Sequence, residues 1–591
     1  MCRSPECACF RTRKWAPTRP SPASLTRMIT MLEPVSRSDT PPPTDMPKIA
    51  LAQSTVAQVV AEICVRHGVR QIYGLPGGGS SLDVMQAFAA LGVRFVLAHT
   101  EAAAGMMAAA DAEAHGGLAV VVTTQGPGTA SVANAIAHAS LDRVPVLVIT
   151  DGWTRQQLTH DSHQVFDQRA MLAPVVKAHT RLDGEQVAVE LERLIAIAGT
   201  EPCGPVYLEL TGENARRTIA EQHNDASPAV AADAPSASQS EAVATAIALI
   251  EKARRPVIVA GLEARSSDVA SRIDALAMHW QCPVLTTYKA KGVTADESDH
   301  ALGLFTGGAL ERSSVESADL IVLCGLDPVE LIGRPWPYTA PVIDLSPVEH
   351  VPHYVEPAAR LRLPLARSLD ALSSVAPSRG WSNEEFVRLK TGMHEALAYA
   401  GSETGLTPVA VVQIAARAAQ HLDARVTVDA GAHMFSAMAF WPAKRPRDVL
   451  ISNGLASMAF ALPAGIAMGV SDRTRQVIAF TGDGGLLMCI GELATAVREG
   501  VKLCIVVFND STLSLIQIKQ QSRGLERDGI EWPRIDFPAI ARGFGMSAFS
   551  VVTTQAYENA LEEAFATNGP CLIDVHVDPS GYLAQSKALR G

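Results

Sequence analysis

From residue 51 the chain alternates short runs of consecutive apolar residues with stretches of helical spacing, and this rhythm constrains the fold more than any other feature. Runs such as Leu118–Val122 (LAVVV), Val144–Ile149 (VPVLVI) and Leu503–Phe508 (LCIVVF) have the length of strands buried on both faces of a parallel sheet. They are far too short to span a bilayer. Strands alternating with helices define an α/β class. Two composition breaks divide the alternation. Residues 216–240 are polar and rich in Ala, Ser and Pro, which reads as a linker; residues 374–406 form a weaker boundary around one amphipathic stretch. The expectation is three consecutive doubly wound parallel-sheet domains at 51–215, 241–375 and 403–580, each long enough for its own core. The first and third share a strand–helix rhythm.

Residues 1–50 stand apart as a Pro-, Arg-, Ser- and Thr-rich extension, expected to be disordered. Arg3, Arg11, Arg13, Lys14, Arg19 and Arg27 face a single acid, Glu6, which resembles an organelle transit peptide. Equally, Met28, Met31 or Met46 is the start, and the extension has no function. The net charge of −11 argues against a nucleic-acid or anionic-membrane partner, since both need a basic face. Of ten cysteines, Cys64, Cys203, Cys282, Cys324, Cys489, Cys504 and Cys571 read as small core residues. Cys2, Cys7 and Cys9 lack a second ligand pair at zinc-site spacing. A reducing, cytoplasmic location fits.

The chemistry concentrates in Val477–Asp510 (VIAFTGDGGLLMCIGELATAVREGVKLCIVVFND), which reads as strand 477–481, Gly-rich turn 482–485, helix near 486–499 and strand 503–508. Asp483 and Asp510 then lie past the carboxyl ends of strands on one sheet edge, where open α/β sheets bind ligands. Gly482, Gly484 and Gly485 let backbone amides approach an anion, with a helix start behind them. Two carboxylates, a carbonyl and phosphate oxygens suit Mg²⁺ or Ca²⁺. Gly-Asp-Gly alone is usually a turn, but Asp483 and Asp510 are 27 residues apart. That spacing resembles the thiamine-diphosphate motif of the acetolactate synthase/pyruvate decarboxylase-like family, which opens with GDG and closes with Asn-Asn. The resemblance implies thiamine diphosphate with Mg²⁺ held by Asp483, Asp510 and the carbonyl of Thr512. Here the closing pair is Asn509-Asp510, which adds a negative charge beside a diphosphate.

Further segments extend the resemblance over residues 51 to about 580. His99-Thr100-Glu101 follows a strand at Phe95–Ala98, and Glu101 corresponds to the glutamate that activates the cofactor. Read alone, Glu101 is a first-turn acid favoured by the helix dipole. Tyr73–Asp83 and Thr123–Asn134 match the family's pyrimidine-binding domain, the third block its diphosphate-binding domain. Val428–Met434 (VDAGAHM) resembles a diphosphate loop, with Gly431 and His433 matching and Ala432 replacing Gln. Asn453–Val470 resembles the aminopyrimidine segment, with Ala456 and Met458 at the cofactor; a Met is otherwise commonly core filler. Arg255–Gly261, Pro283–Thr287, Lys291-Gly292 and Ala318–Gly325 match the non-catalytic central domain.

The reaction is less determined. Gln164 is retained from the synthase text and is assigned to the substrate, and His163 is a proton donor or simply a surface-loop residue. Leu326–Glu330 replaces the synthases' arginine motif, which weakens the case for FAD; Lys519 stands for an expected tryptophan, and Leu515-Ile516 for an acidic residue of the decarboxylases. Three readings follow: an acetolactate synthase-like carboligase joining a 2-oxo acid to a carbonyl acceptor, a 2-oxo acid decarboxylase or C–C lyase, and a catalytically silent cofactor-binding scaffold. The resemblance also implies a homodimer or homotetramer, with Glu101 of one copy facing the diphosphate domain of another.

Overall fold

The computed structural model describes residues 54–219, 237–331, 335–351, 353–398 and 405–591. The extension 1–50, with Cys2, Cys7 and Cys9, and most of the expected linker lie outside the described residues. Among the described residues, no helix is long and apolar enough to cross a membrane.

After β1 (Ser54–Thr55), the first sheet contains β2 (Gln71–Leu75), β3 (Arg94–Leu97), β4 (Ala119–Thr123), β5 (Val146–Gly152), β6 (His179–Arg181) and β7 (Val206–Thr211), all parallel. Their order is β3-β2-β4-β5-β7-β6, and β8 (Thr218–Ile219) returns antiparallel to β1. Thus the start of the expected linker is paired structure, and its end already belongs to the helix Ala237–Lys252. The second sheet, β9 (Pro256–Ala260), β10 (Val284–Thr286), β11 (Ala301–Leu304), β12 (Leu320–Cys324), β13 (Val342–Leu345) and β14 (Ala359–Leu361), runs β11-β10-β9-β12-β13-β14. The third holds β15 (Arg425–Val428), β16 (Val449–Ile451), β17 (Val477–Gly482), β18 (Leu503–Asn509), β19 (Ser547–Val551) and β20 (Cys571–His576) in the order β16-β15-β17-β18-β20-β19. First and third sheets share one strand order, and all three are parallel and flanked by helices: the chain is α/β and doubly wound, as the alternation predicts.

Two helices that are buried around almost their whole circumference, apolar but for Asp111 and Glu113 in the first, join the outer sheets. Glu101–His115 is buried continuously from Ala103 to Glu113, and Ala461–Ser471 from Ala461 to Val470. A helix without a polar face has to be covered on every side. Each covers the other, and one core therefore contains side chains of both sheets. Full burial of a side chain such as Met107 or Ile466 contributes about 1.5–3 kcal/mol. A second core merges the middle sheet with the far side of the third, which thus packs against both neighbours.

Two details differ from expectation. The helix predicted near 486–499 is broken into Asp483–Met488 and Glu492–Glu499. At the break the backbone N–H groups of His99 and Thr100 donate to the Glu492 carboxylate at 2.9 and 3.2 Å. Cys203 is only half-buried, unlike the other six described cysteines.

Candidate functional site

The carboxyl ends of β15, β17 and β18 open onto a cavity of about 330 Å³. The crossovers leave β15 in opposite directions at this point, which is where a doubly wound sheet parts to admit a ligand. All ten residues that the motifs assign to cofactor or metal line this cavity: Gly431, His433, Ala456, Met458, Gly482, Asp483, Gly484, Gly485, Asp510 and Thr512.

At one end sit the two carboxylates. Asp483 is 2% exposed, and its oxygens accept the N–H of Gly484 at 2.8 Å and of Ser511 at 2.6 Å. Burial first, and the charge of Asp510 second, push the Asp483 carboxyl up to about 7. Burial pushes Asp510 up to about 6, against the pull of the Ser514 hydroxyl that donates to it. Ser511, between the two strand-end acids, takes a left-handed φ of 57°. A buried acid and a half-buried one, both resisting ionisation, form a donor set that a divalent cation satisfies.

The opposite wall is shaped around His433. Its ring stacks on Phe508 with centroids 5.2 Å apart, and burial pushes its pKa down to about 4. The imidazole is neutral at ordinary pH, and its Nε2 is buried without a hydrogen-bond partner. A Cβ at Gly431 would come within 2.7 Å of this ring and displace it, and one at Gly482 would press on it at 3.2 Å. An orphaned buried nitrogen in the lining of the same cavity as two acids fits a metal diphosphate. Asp429, which the motif reading passed over, anchors this wall. Its buried carboxylate accepts from Phe460 N at 3.0 Å, Thr481 Oγ1 at 2.9 Å and Ala430 N at 3.1 Å. Gly485 is glycine on its account, because a Cβ there would lie 2.2 Å from an Asp429 oxygen.

The mouth mixes apolar and cationic groups. Leu513, Leu515 and Ile516 line it beside Lys519 and the C-terminal helix residues Tyr582 and Arg590. Arg590 also lies over the Phe435 ring at 5.5 Å. No motif marks Tyr582 or Arg590; only the fold brings the C-terminal helix here.

Glu101, His163 and Gln164 do not line this cavity. Glu101 is half-buried at the first helical position after the N-cap Thr100, and its Oε1 would lie 3.3 Å from a Cβ on Gly128. His163 and Gln164 are exposed on one loop, Gln164 with a left-handed φ of 63° and its Cβ against Gly126. His160, three residues before His163, is exposed too and lies 3.6 Å from Asp161. Where this loop ends, Gln168, the first residue of the helix Gln168–Leu172, is buried, and the sequence did not single it out. Its Oε1 accepts from Gly126 N at 2.7 Å and Thr129 Oγ1 at 2.6 Å, while Nε2 donates to Asp151 O at 3.2 Å.

Comparison with known proteins agrees with this layout. Three family models match in order: the N-terminal TPP binding domain of thiamine pyrophosphate enzymes over residues 54–171, their central domain over 243–372, and their C-terminal TPP binding domain over 429–575. The acetolactate synthase of Bacillus subtilis is 25% identical over 90% of this chain and 94% of its own length. The acetolactate synthase isozyme 1 large subunit of Escherichia coli is 27% identical over 89% and 94%. A probable 2-ketoarginine decarboxylase of Pseudomonas aeruginosa is 26% identical over 88% and 94%.

Proposed function

The chain belongs to the thiamine pyrophosphate enzymes, and from that premise we propose that it is a magnesium-dependent enzyme acting on a 2-oxo acid, an acetolactate synthase-like carboligase. The observation that carries this reading is the convergence of ten motif residues, paired acids and an orphaned imidazole nitrogen included, on one cavity.

When bound, thiamine diphosphate supplies a carbon centre that stabilises a carbanion. Asp483, Asp510 and the Thr512 carbonyl are the magnesium ligands in this reading. His433, neutral at ordinary pH, would offer its unpartnered Nε2 to the diphosphate, and Asp483 and Asp510 would supply the charge that balances the metal. Ala456 and Met458 carry the ring end. Glu101, supplied by a second copy of the chain, holds a proton at the aminopyrimidine, which makes the active unit a homodimer or homotetramer. Gln164 and His163 approach the substrate from that same copy. At the mouth, Leu515 and Ile516 accept a hydrocarbon group, and the Lys519 and Arg590 cations attract the carboxylate. No flavin enters this reading: Asp327 pairs with Arg143 at 2.6 Å, and Glu330 accepts from Leu262 N at 2.8 Å. The stretch Leu326–Glu330 carries no arginine where the synthases' motif has them.

The decarboxylase reading is kept alive by one feature, the cationic Lys519 where the synthase text has an aromatic ring. Near-UV circular dichroism during titration with thiamine diphosphate and Mg²⁺, followed by pyruvate and carbonyl acceptors, tests both. A 2-hydroxyketone product supports the carboligase, and free aldehyde the decarboxylase. Absence of metal-dependent cofactor binding overturns both.

A further inference from the structure

The segment Asn453–Ala459 enters the cavity through Ala456 and Met458 in a conformation its own sequence does not favour. Ala456 and Ala459 both take left-handed φ, 54° and 66°. Residues with a Cβ avoid that region unless their surroundings impose it. What surrounds this segment comes from a different domain of the same chain.

The helix Pro127–Leu141 presents Asn134, His138 and its C-cap Asp142 at spacings of four, a single stripe along one face. Each meets the segment. Asn134 Oδ1 accepts the Ser457 hydroxyl at 2.9 Å. His138 Nδ1 lies 3.0 Å from Ser452 Oγ, and Ser452 Oγ accepts Ser457 N, also at 3.0 Å. Asp142 accepts Gly454 N at 2.7 Å and Asn453 N at 3.2 Å. Asp142 and His138 are fully buried, and the His138 ring packs on Phe460 at 4.9 Å. Lys289, from the middle domain, holds the Asp142 carboxylate at 3.0 Å and also donates to Ile451 O at 3.0 Å. Contact is close enough that a Cβ at Gly454 would stand 2.7 Å from the Leu141 Cβ and 2.9 Å from an Asp142 oxygen.

We propose that Asn134, His138 and Asp142 are positioning residues: this helical stripe templates the Asn453–Ala459 segment and so pre-shapes the cofactor wall before any ligand arrives. The proposal rests on the thiamine-diphosphate reading of the cavity. It adds that the ring-binding wall is set by the first domain of the same chain, acting through backbone N–H groups and the Ser452 and Ser457 hydroxyls, and not by residues that touch the cofactor. The other end of the helix, Pro127-Gly128, lies beside Glu101. One helix therefore links the activating carboxyl of one active site to the ring wall of another.

Hydrogen exchange in the apo-protein reads the templating without any cofactor, and thiamine-diphosphate titration at saturating Mg²⁺ reads its consequence. The wild type should protect the amides of Asn453, Gly454 and Ser457. Asn134→Ala, at an exposed position, and Ser457→Ala should speed exchange in the segment and weaken cofactor binding about two- to tenfold, the worth of one hydrogen bond. Asp142→Asn should weaken it further, with the melting temperature of the Asn134→Ala protein unchanged. Faster exchange with wild-type cofactor affinity, or no change in exchange in any variant, overturns the positioning role. A wild type that protects these amides and yet takes up no thiamine diphosphate refutes the cofactor reading, and the role built on it falls with it.

Discussion

The Lys289 ammonium lies 2.6 Å from the Glu113 carboxylate with both side chains 1% exposed, an ion pair sealed between the middle and first domains. Burial by itself would raise the Glu113 carboxyl, but Lys289 and then Arg265 outweigh it and hold the group below the usual range. The node is charge-balanced: Lys289 and Arg265 face Glu113 and Asp142. Removing one member strands the others in a medium that solvates them poorly. Lys289→Met should cost about 3–5 kcal/mol in chemical denaturation, whereas Lys289→Met combined with Glu113→Gln should cost less than the single change.

Metal binding should be lost on mild acidification. Magnesium requires both Asp483 and Asp510 to be ionised, and their carboxyls are raised to about 7 and about 6. Mg²⁺ affinity, measured by calorimetry in the presence of thiamine diphosphate, should hold above pH ~7 and fall steeply below it. Asp510→Asn removes the like charge beside Asp483. Its binding curve should therefore move to lower pH, while the plateau affinity drops with the lost ligand charge. Asp483→Asn should abolish metal-dependent cofactor binding.

Glu101→Gln should retain thiamine diphosphate within a few-fold of wild type and lose at least about 10²-fold in turnover, as expected for a group that moves a proton and does not anchor the cofactor. Mixing this variant with an Asp483→Asn chain should restore part of the activity, because each hybrid dimer rebuilds one intact site. A fully active monomer in sedimentation would contradict the arrangement.

Glu330 provides a stability test away from the cavity. Burial is the main cause that pushes its carboxyl up to about 8 from 4.5. The folded chain then holds a proton that the unfolded chain releases. The associated stability is complete below about pH 4.5 and is lost as pH rises through about 8. Glu330→Gln should melt with a weaker pH dependence over that interval, since its amide keeps acceptors for Leu262 N and Asp327 N without ever ionising.

The sequence made the sheets and the strand-end residues legible for one reason: both are local. Leu503–Phe508 declares a buried strand, and Asp483 and Asp510 follow their strands by one position. Residues that work across domains carried no such signal. Asp429 sits inside a quoted motif, yet its role rests on bonds to Phe460 and Thr481 that spacing does not reveal. Arg590 reaches the cavity only because the last helix folds back. Asn134, His138 and Asp142 show a four-residue period, but many solvent-facing helices show the same. The break at 489–491 was hidden because its cause, the docking of His99 and Thr100 on Glu492, lies almost 400 residues away in the chain.

The mutual covering of Glu101–His115 and Ala461–Ser471 has a consequence for biosynthesis. The second helix begins 360 residues after the first. At roughly 5–20 residues per second, a ribosome needs about 20–70 s to deliver it. Throughout that interval, in the nascent first domain, the face of this alanine- and methionine-rich helix that will meet Ala461–Ser471 stays uncovered, although Pro127–Leu141 and the first sheet pack on its other sides. Even with its sheet complete, this domain is a client for chaperones until the chain is nearly finished, and a nonsense truncation before residue 461 leaves a product prone to aggregate.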